Sequence, residues 1–543
     1  MLAFLLIGGM AFSQGAPKED LIDAFRKERA LISGVSVAPE GNPTSKDMLR
    51  YAKSITPADL EAHLQFIASD ELEGRETAQR GQKLAMRYLV SQFQKLGLQP
   101  GNGDSWVQEY ELTKTTVEKV EISFDDKENL AFGEGFFFFG KNGFTSNMSA
   151  NLAFGGYGIK DPSYDNLAGL DVKGKAVIVM GGEPQKDGKS IINNPELEDG
   201  YGVYEKEAAL NKAGAVAMIV LMKDENFETY AGSKWLKHMS EGSSLSLTYL
   251  EKKRIPTLFI PVSRFETLAK KSKVSIEDLK SSLADSPKVP SINFGKYRYN
   301  QLAEGEEKVV IAENVLGFLE GTDKKDEVIV LTAHYDHLGV RDGKIYNGAD
   351  DDGTGTVALI EVAEAFAKAT EDGYRPRRSI LFMPVSGEEK GLLGSRYYSD
   401  HPVFPIENTV CNLNVDMIGR TDEFHKESNY IYIIGSDMLS TELHQANEVA
   451  NNHLKEVELD YRYNDKDDPN RYYYRSDHYN FARKNVPCIF YFSGVHPDYH
   501  KHTDTIEKID FKKSAMVTKL IFGTAWEVAN REKRLEVDKA GGE

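Results

Sequence analysis

The chain has 543 residues, which is too long for one ordinary hydrophobic core and indicates about two to four domains. Hydrophobic residues make up 41% of the chain and charged residues 28%, a balance typical of globular proteins. The 84 acidic residues outnumber the 66 basic ones, and the net charge of -18 argues against a broad surface for nucleic acid or for an anionic membrane.

The first residues predict an export signal. An apolar run over residues 2–12 is followed by small and polar residues, and we place the signal peptide at residues 1–15. The run is too short to span a bilayer, and no other stretch has the pattern of a transmembrane helix. No Lys or Arg precedes Lys18, so a buried apolar tail is the alternative. We expect an exported protein, either periplasmic or secreted.

The two cysteines, Cys411 and Cys488, allow at most one disulfide. Stability therefore does not depend on a disulfide framework, which fits a bacterial periplasm or cell surface better than a disulfide-dense secreted protein.

Residues 45–130 open with two helical patterns, which we assign to the first part of a catalytic domain. Thr56 is followed by Pro57 and by Asp59 three residues on, which predicts a capped helix start. A second helix is predicted over residues 81–97, where Gly97 is a C-cap.

Residues 131–300 have a different composition, with alternating Gly, Phe and β-branched residues. Within them, residues 174–182 predict a buried strand, residues 204–215 a helix and residues 216–221 a further strand. We interpret this block as an inserted, β-rich domain.

Residues 301–535 form the second part of the catalytic domain. Short, continuous apolar runs alternate with helical patterns, including residues 516–529, and such runs suit strands that are covered on both faces. The alternation predicts an α/β fold with a mostly parallel central sheet and flanking helices. The clearest predicted strands are residues 327–334, 379–386, 411–417 and 487–493.

Metal-binding side chains follow these strands, at the ends where ligands gather in a parallel sheet. The motif "GADDDGTGT", residues 348–356, adds three carboxylates directly after the first strand. Imidazoles and carboxylates at successive strand ends indicate a metal site. The residues are His334 and Asp336, Asp351 in the aspartate turn, Glu388 and Glu389, Asp416, and His500.

Charge arithmetic favours two divalent ions over one. If Asp351 bridges the ions, Asp351, Glu389 and Asp416 supply three negative charges against four positive ones, and a bridging hydroxide balances the remainder. Neutral His334 and His500 complete the ligands. The aspartate turn is therefore expected to bind a pair of zinc ions.

Glu388 is then free to act as the general base, because it adjoins a ligand without being one. It can take a proton from the metal-bound water and pass it to a leaving amine. Asp336, two residues after His334, is expected to hold the other N–H of that imidazole with its carboxylate.

The motifs "AHYDHLG", "GADDDGTGT", "SGEEKGLLGS", "VDMIG" and "YHKHTDT" occur in an order that resembles the secreted, co-catalytic dizinc aminopeptidases. That family has a phosphorylase/hydrolase-like zinc exopeptidase fold and includes glutamate carboxypeptidase and glutaminyl cyclase relatives. "GKAVIVMGG" and "EKEAALNKAGAVAMIVL" resemble a protease-associated domain, which identifies the expected insertion.

The resemblance implies specific roles for the strand-end residues. His334 and Asp416 would hold one zinc, Glu389 and His500 the other, and Asp351 would bridge them. It also implies a cis peptide bond after Asp351.

We therefore expect a zinc aminopeptidase that hydrolyses the N-terminal peptide bond of peptides. The alternatives are an enzyme like glutamate carboxypeptidase, one like glutaminyl cyclase, and a non-catalytic receptor that keeps the fold. The other histidines, His337, His478, His496 and His502, are expected not to be ligands. The aromatic segment 471–481 is either packed on the core or a wall of the substrate pocket. The sequence predicts no oligomeric state.

Overall fold

A computed structural model describes residues 43–125, 128–141, 143–192, 202–233, 236, 243–250 and 254–539. The predicted signal peptide, residues 1–15, lies outside the described residues. None of the described helices combines the length and the apolar character that crossing a bilayer would require.

The strands of the described residues are short except for two long ones, β2 and β13. In chain order they are β1 Gln99–Pro100, β2 Val107–Ser123, β3 Asn129–Leu130, β4 Met148–Phe154, β5 Lys160–Asp161, β6 Tyr164–Asp165, β7 Lys175–Met180, β8 Gln185–Lys186, β9 Lys189–Ser190, β10 Ala217–Met222, β11 Ser243–Leu247, β12 Thr257–Pro261, β13 Arg298–Val315, β14 Gly317–Leu319, β15 Lys324–His334, β16 Gly339–Arg341, β17 Lys344–Tyr346, β18 Arg378–Val385, β19 Thr409–Val415, β20 Tyr430–Ile434, β21 Glu458–Asp460 and β22 Cys488–Phe492.

The helices follow the predicted patterns closely, and Thr56 caps the second of them through the amide of Asp59. They are α1 Ser45–Ala52, α2 Pro57–Ile67, α3 Arg80–Lys95, α4 Val203–Lys212, α5 Asp224–Ala231, α6 Val262–Leu268, α7 Ile276–Asp285, α8 Gly355–Glu371, α9 Leu393–Asp400, α10 Thr441–Leu454, α11 His478–Ala482 and α12 Phe511–Asn530.

The first sheet has eight strands in the order β1-β14-β18-β15-β19-β22-β20-β21. The four predicted strands are the central neighbours β18, β15, β19 and β22, and each adjacent pair of them is parallel. The sequence prediction of a mixed α/β fold with a mostly parallel centre is confirmed.

Both faces of the first sheet are covered, which explains its continuous apolar strands. Along β15, Ile329 and Leu331 face a core that includes Phe366 of α8 and Trp526 of α12. The alternate residue Val330 faces a second core on the opposite side of the sheet.

The second sheet also has eight strands, in the order β11-β2-β13-β4-β7-β10-β12 with β3 beside β2. Strands β4, β7, β10 and β12 form a contiguous parallel run. The predicted strand-helix-strand unit corresponds to β7, α4 and β10. Ile178 faces one core and Val179 the other, so β7 is buried on both faces.

Strands β2 and β13 pair along almost their whole length, from Val107 with Val315 to Ser123 with Asn300. This antiparallel ribbon belongs to the second sheet and extends beyond the expected bounds, residues 131–300. The change in composition does not mark the ribbon, because its two strands lack the Gly and Phe content of the block that they carry.

Candidate metal centre

The predicted ligands stand at the carboxyl ends of the parallel strands. His334 is the last residue of β15, and Asp416 follows the last residue of β19. Glu388 and Glu389 begin a single 3-10 turn after β18, which Gly387 enters with a φ of 74°. His500 lies in the loop after β22 and has a φ of 56°.

The aspartate turn occupies residues Ala349–Thr354 between β17 and α8, and its three carboxylates are buried. The peptide bond between Asp351 and Asp352 is cis, as the family resemblance implies.

Two of the three carboxylates are used to hold the site together. Asp350 accepts hydrogen bonds from the Thr354 hydroxyl and the Gly419 amide, at 2.9 and 2.6 Å. Asp352 accepts from the amides of His334, Gly355 and Met417 at 2.9–3.1 Å, so that it joins three segments.

Asp351 is the carboxylate that faces the other ligands. Its backbone amide donates to Asp504 at 3.1 Å, and this bond fixes the turn from behind. Its Oδ1 lies 3.1 Å from His334 Nε2, and the same nitrogen lies 3.6 Å from Asp416 Oδ1. His334, Asp351 and Asp416 therefore form one group with the donors and spacing of a metal site.

The other oxygen of Asp351 faces a second group. His500 Nε2 lies 3.3 Å from Asp351 Oδ2 and 3.3 Å from Glu389 Oε2. His337 Nδ1 lies 2.8 Å from Glu389 Oε1, and His337, Asp351 and Glu389 also have the spacing of a metal site. The two groups thus share Asp351, and each of its carboxylate oxygens faces a different group.

Several buried donor atoms in this cluster have no hydrogen-bond partner. Polar atoms buried without a partner are costly, so their convergence on two points fits divalent cations. The mixture of imidazole nitrogen and carboxylate oxygen suits zinc. The atoms are His334 Nε2, both ring nitrogens of His337, Asp351 Oδ2 and Glu389 Oε1.

The electrostatics of the cluster reflect opposite charges packed together. Burial opposes the ionisation of Glu389, as does the Asp351 carboxylate, yet contact with His337 and His500 lowers the pKa of Glu389 to about 2. Burial would lower the pKa of His500, but Asp351 and Glu389 raise it to about 10. Burial and nearby carboxylates raise the pKa of Glu388 well above its usual value.

Glu388 belongs to neither group. Its Oε2 is 3.9 Å from His334 Nε2, and its carboxylate lines the cleft above the cluster.

Asp336 differs from the expected arrangement. The Nδ1 of His334 lies 3.0 Å from the backbone oxygen of Asp336, whereas the carboxylate is 4.0 Å away. That carboxylate instead accepts hydrogen bonds from the Thr77 hydroxyl at 2.6 Å and from the Glu388 amide at 3.2 Å. Because the chain turns directly after β15, the backbone carbonyl reaches the ring first, and Asp336 positions the loop of Glu388.

The cleft above the cluster has aromatic and apolar walls. Tyr472 and Arg475 line it, so part of segment 471–481 is a pocket wall, whereas Tyr473 packs in a buried cluster. The wall of the cleft also includes Met417, Phe490, Phe492, Val495 and Tyr499.

Arg75, which no sequence motif indicated as a site residue, is fully buried next to the aspartate turn. Its guanidinium donates to the backbone oxygens of Tyr335, Asn347 and Gly348 at 2.6–2.9 Å and so ties the turn to the end of β15. A lone arginine in "LEGRE" gives no signal for that role.

His337 was expected not to be a ligand, yet the motif "AHYDH" sets it at the same strand end as His334, and it lies in one of the two metal-type groups. His478, His496 and His502 are in neither metal-type group of the described residues. His496 is buried with Nε2 3.3 Å from Asp350, His478 stacks on Phe490, and His502 contacts the Tyr346 ring.

Comparison with known proteins gives a consistent result. Residues 314–525 match the sequence model of peptidase family M28. Aminopeptidase YwaD from Bacillus subtilis (strain 168) is 25% identical over 231 residues, 41% of this chain and 46% of the relative. A probable zinc metalloprotease from Pyrenophora tritici-repentis (strain Pt-1C-BFP) is 30% identical over 267 residues, 40% of this chain and 52% of the relative. The chain thus spans about half the length of these curated relatives.

Among solved structures, an aminopeptidase from Aneurinibacillus sp. strain AM-1 superposes with a TM-score of 0.56 at 19% sequence identity. The match covers 92% of this chain and 98% of that one. At this identity the likeness concerns the fold alone, and it supports the mixed α/β architecture.

Proposed function

We propose that this chain, a member of peptidase family M28 through residues 314–525, is a zinc aminopeptidase that removes residues from the N-terminus of peptides. The observation that carries the proposal is the convergence of two donor groups on opposite oxygens of Asp351. The printed names of the relatives, an aminopeptidase and a probable zinc metalloprotease, support both the metal and the reaction class.

The residues that would hold zinc divide between the two oxygens of Asp351. His334 and Asp416 would join Oδ1 at one position, and Glu389 and His500 would join Oδ2 at the other. When bound, zinc would polarise the scissile carbonyl group and lower the pKa of a water molecule at the site.

Glu388 is the proposed general base. Its carboxylate lies at the cleft floor, close to His334 yet outside both donor groups, where it can take a proton from water and return it to the leaving amine. Asp336 is the proposed positioning residue, because its carboxylate holds the Glu388 amide and the Thr77 hydroxyl together.

The residues of the cleft walls indicate which substrate side chains the site favours. Met417, Phe490, Phe492 and Tyr472 give it an apolar character, which suits an N-terminal residue with an apolar side chain.

The second sheet is the proposed protease-associated domain, acting as a lid or a specificity module. It contributes none of the donor residues, but it lies against the catalytic part: the Tyr249 hydroxyl donates to Asp400 of α9 at 2.7 Å. Export, to the periplasm or outside the cell, is proposed from the apolar N-terminal segment alone.

The test is a panel of substrates with the purified chain: aminoacyl amides, acyl-dipeptides with a free C-terminus, and peptides with N-terminal glutamine. We expect turnover of the aminoacyl compounds, loss of that turnover with a chelator, and recovery with added zinc. Turnover of acyl-dipeptides alone would identify a carboxypeptidase, and cyclisation of glutamine a glutaminyl cyclase. Absence of both zinc and turnover would support a receptor instead.

A further inference from the structure

His337 lies against the metal-type cluster without belonging to the five ligands that the family resemblance implies. It follows the end of β15 by three residues, and its side chain is fully buried. Its Nδ1 is 2.8 Å from Glu389 Oε1 and 3.9 Å from Asp351 Oδ2. Among the described residues, neither of its ring nitrogens has a partner in hydrogen-bond geometry.

The ring is held in this place by the backbone around it. The His337 amide donates to the Arg75 carbonyl at 3.1 Å. Gly348, with a φ of 57°, presses on the ring from the side of the aspartate turn, and a Cβ on Gly348 would lie 2.5 Å from His337 Cγ and Cδ2. A glycine is therefore required for the turn to approach the imidazole so closely. The arrangement orients the ring toward Glu389 before any ligand binds.

We infer that His337 is an additional zinc ligand, at the position formed by Asp351 Oδ2, Glu389 and His500. The inference rests on the proposed function, in which this cluster binds zinc. A fully buried imidazole with an unpartnered nitrogen, 2.8 Å from one ligand and 3.9 Å from another, has the placement of a third donor around a common centre. A neutral imidazole leaves the charge balance of the site unchanged.

The inference makes the two zinc positions unequal. The position at Asp351 Oδ1 has two further protein donors, His334 and Asp416, whereas the position at Oδ2 has three, His337, Glu389 and His500. A position with more protein donors leaves less room for water or substrate. The Oδ1 position, which Glu388 adjoins, is then the more open one, and the Oδ2 position retains its ion more firmly.

A crystal structure of the zinc-loaded full chain, with anomalous scattering at the zinc edge, tests the inference directly. We expect His337 Nδ1 about 2.1 Å from one zinc ion, the usual zinc-to-imidazole distance. If both ions are present and this nitrogen lies beyond about 3 Å, His337 only orients Glu389 and the inference is wrong, while the proposed function stands. If no zinc binds, the proposed function fails.

Chelator competition on variants gives a second readout. His337→Ala and the larger His337→Gln should each release one of two zinc ions at least about tenfold more readily than the wild type, because one donor is lost. His502→Ala, which changes a histidine that contacts the Tyr346 ring and is in neither donor group of the described residues, is the control and should match the wild type. Unchanged release from a folded His337→Gln would contradict the inference even if His337→Ala fails to fold.

Discussion

The two large sheets share a geometry but differ in what lies at their strand ends. Each has eight strands among the described residues, including a run of four parallel neighbours. At the carboxyl ends of the first run stand His334, Asp416 and the Glu388–Glu389 pair. In the second run, β7 ends at Met180, and its carbonyl accepts a hydrogen bond at 3.1 Å from the buried Lys206 ammonium, which also bonds to the Gly182 carbonyl.

The difference shows that parallel topology alone does not create an active site. In the second sheet the Lys206 ammonium of α4 lies at the strand-end carbonyl. In the first sheet carboxylates and imidazoles gather at the strand ends instead, with the donors and spacing of metal sites. The sheet provides the position, and the side chains decide what binds there.

The largest effect is expected from replacing Glu388, the proposed general base at the strand ends of the first sheet. Glu388→Gln should lower kcat by about 100- to 10,000-fold with bound zinc unchanged, because the proposed role of the side chain is to transfer protons and not to bind metal. Glu389→Gln, one residue along, should lose zinc as well as activity. Activity is measured on an aminoacyl substrate and zinc by elemental analysis. If Glu388→Gln keeps its turnover, the base is another residue.

A smaller effect is expected where the second sheet supports the site. Tyr110 of β2 donates to the Ser386 carbonyl at 2.8 Å, next to the Gly387 that begins the Glu388 turn, and its ring stacks on Tyr397. Tyr110→Phe should destabilise the fold by about 0.5–1.5 kcal/mol through the lost hydrogen bond, because the Ser386 carbonyl keeps the Gly394 amide as a donor, and should lower kcat/KM several-fold with zinc retained.

Tyr299→Phe is the matched control, because that buried tyrosine hydroxyl bonds only within the second sheet, to Gln301 at 2.6 Å. Tyr299→Phe should lower the free energy of unfolding, measured with urea, by a similar amount to Tyr110→Phe, without a change in kcat/KM. Equal kinetics in the two variants would show that the ribbon does not support the loop of Glu388.

The smallest effect on activity is expected at Lys206, the cation of the second sheet. Burial lowers the pKa of Lys206 to about 8, below its value in the unfolded chain. The unfolded chain then binds more protons between about pH 8 and pH 10, so this residue makes the folded state more stable as pH rises.

Lys206→Met should remove that contribution, which amounts to at most about 1.4 kcal/mol per pH unit. The measurement is the free energy of unfolding at pH 8 and at pH 10, as a difference from the wild type. Lys212→Met, an exposed position in the same helix, should keep the wild-type dependence. Identical pH dependence in all three proteins would contradict the assignment.

Much of this arrangement could be predicted from the sequence. Continuous apolar runs identified β15, β18, β19 and β22, because strands buried on both faces need no polar alternation. Since parallel strands end at one edge, the residues after these runs were expected to meet, and the donor groups around Asp351 do so.

Other parts depend on contacts between residues far apart in the chain. The carboxylate of Asp336 accepts a hydrogen bond from Thr77, which is distant in sequence. The backbone carbonyl of Asp336, and not its carboxylate, is the group that contacts the His334 ring. The ribbon of β2 and β13 has no compositional signal, because its pairing joins segments almost two hundred residues apart.

The sequence by itself therefore predicted where the strands lie, which candidate ligand follows each strand, and the class of metal chemistry. These features depend on hydrophobic periodicity and on the residue types at the strand ends. The tertiary structure alone decided which donor side chains face each oxygen of Asp351, that His337 lies beside Glu389, and that a lysine lies at the corresponding strand end of the second sheet. Those outcomes depend on the direction of side chains beyond the end of a strand. There the two-residue alternation of the strand no longer sets the direction, which depends instead on the packing of segments that are distant in sequence.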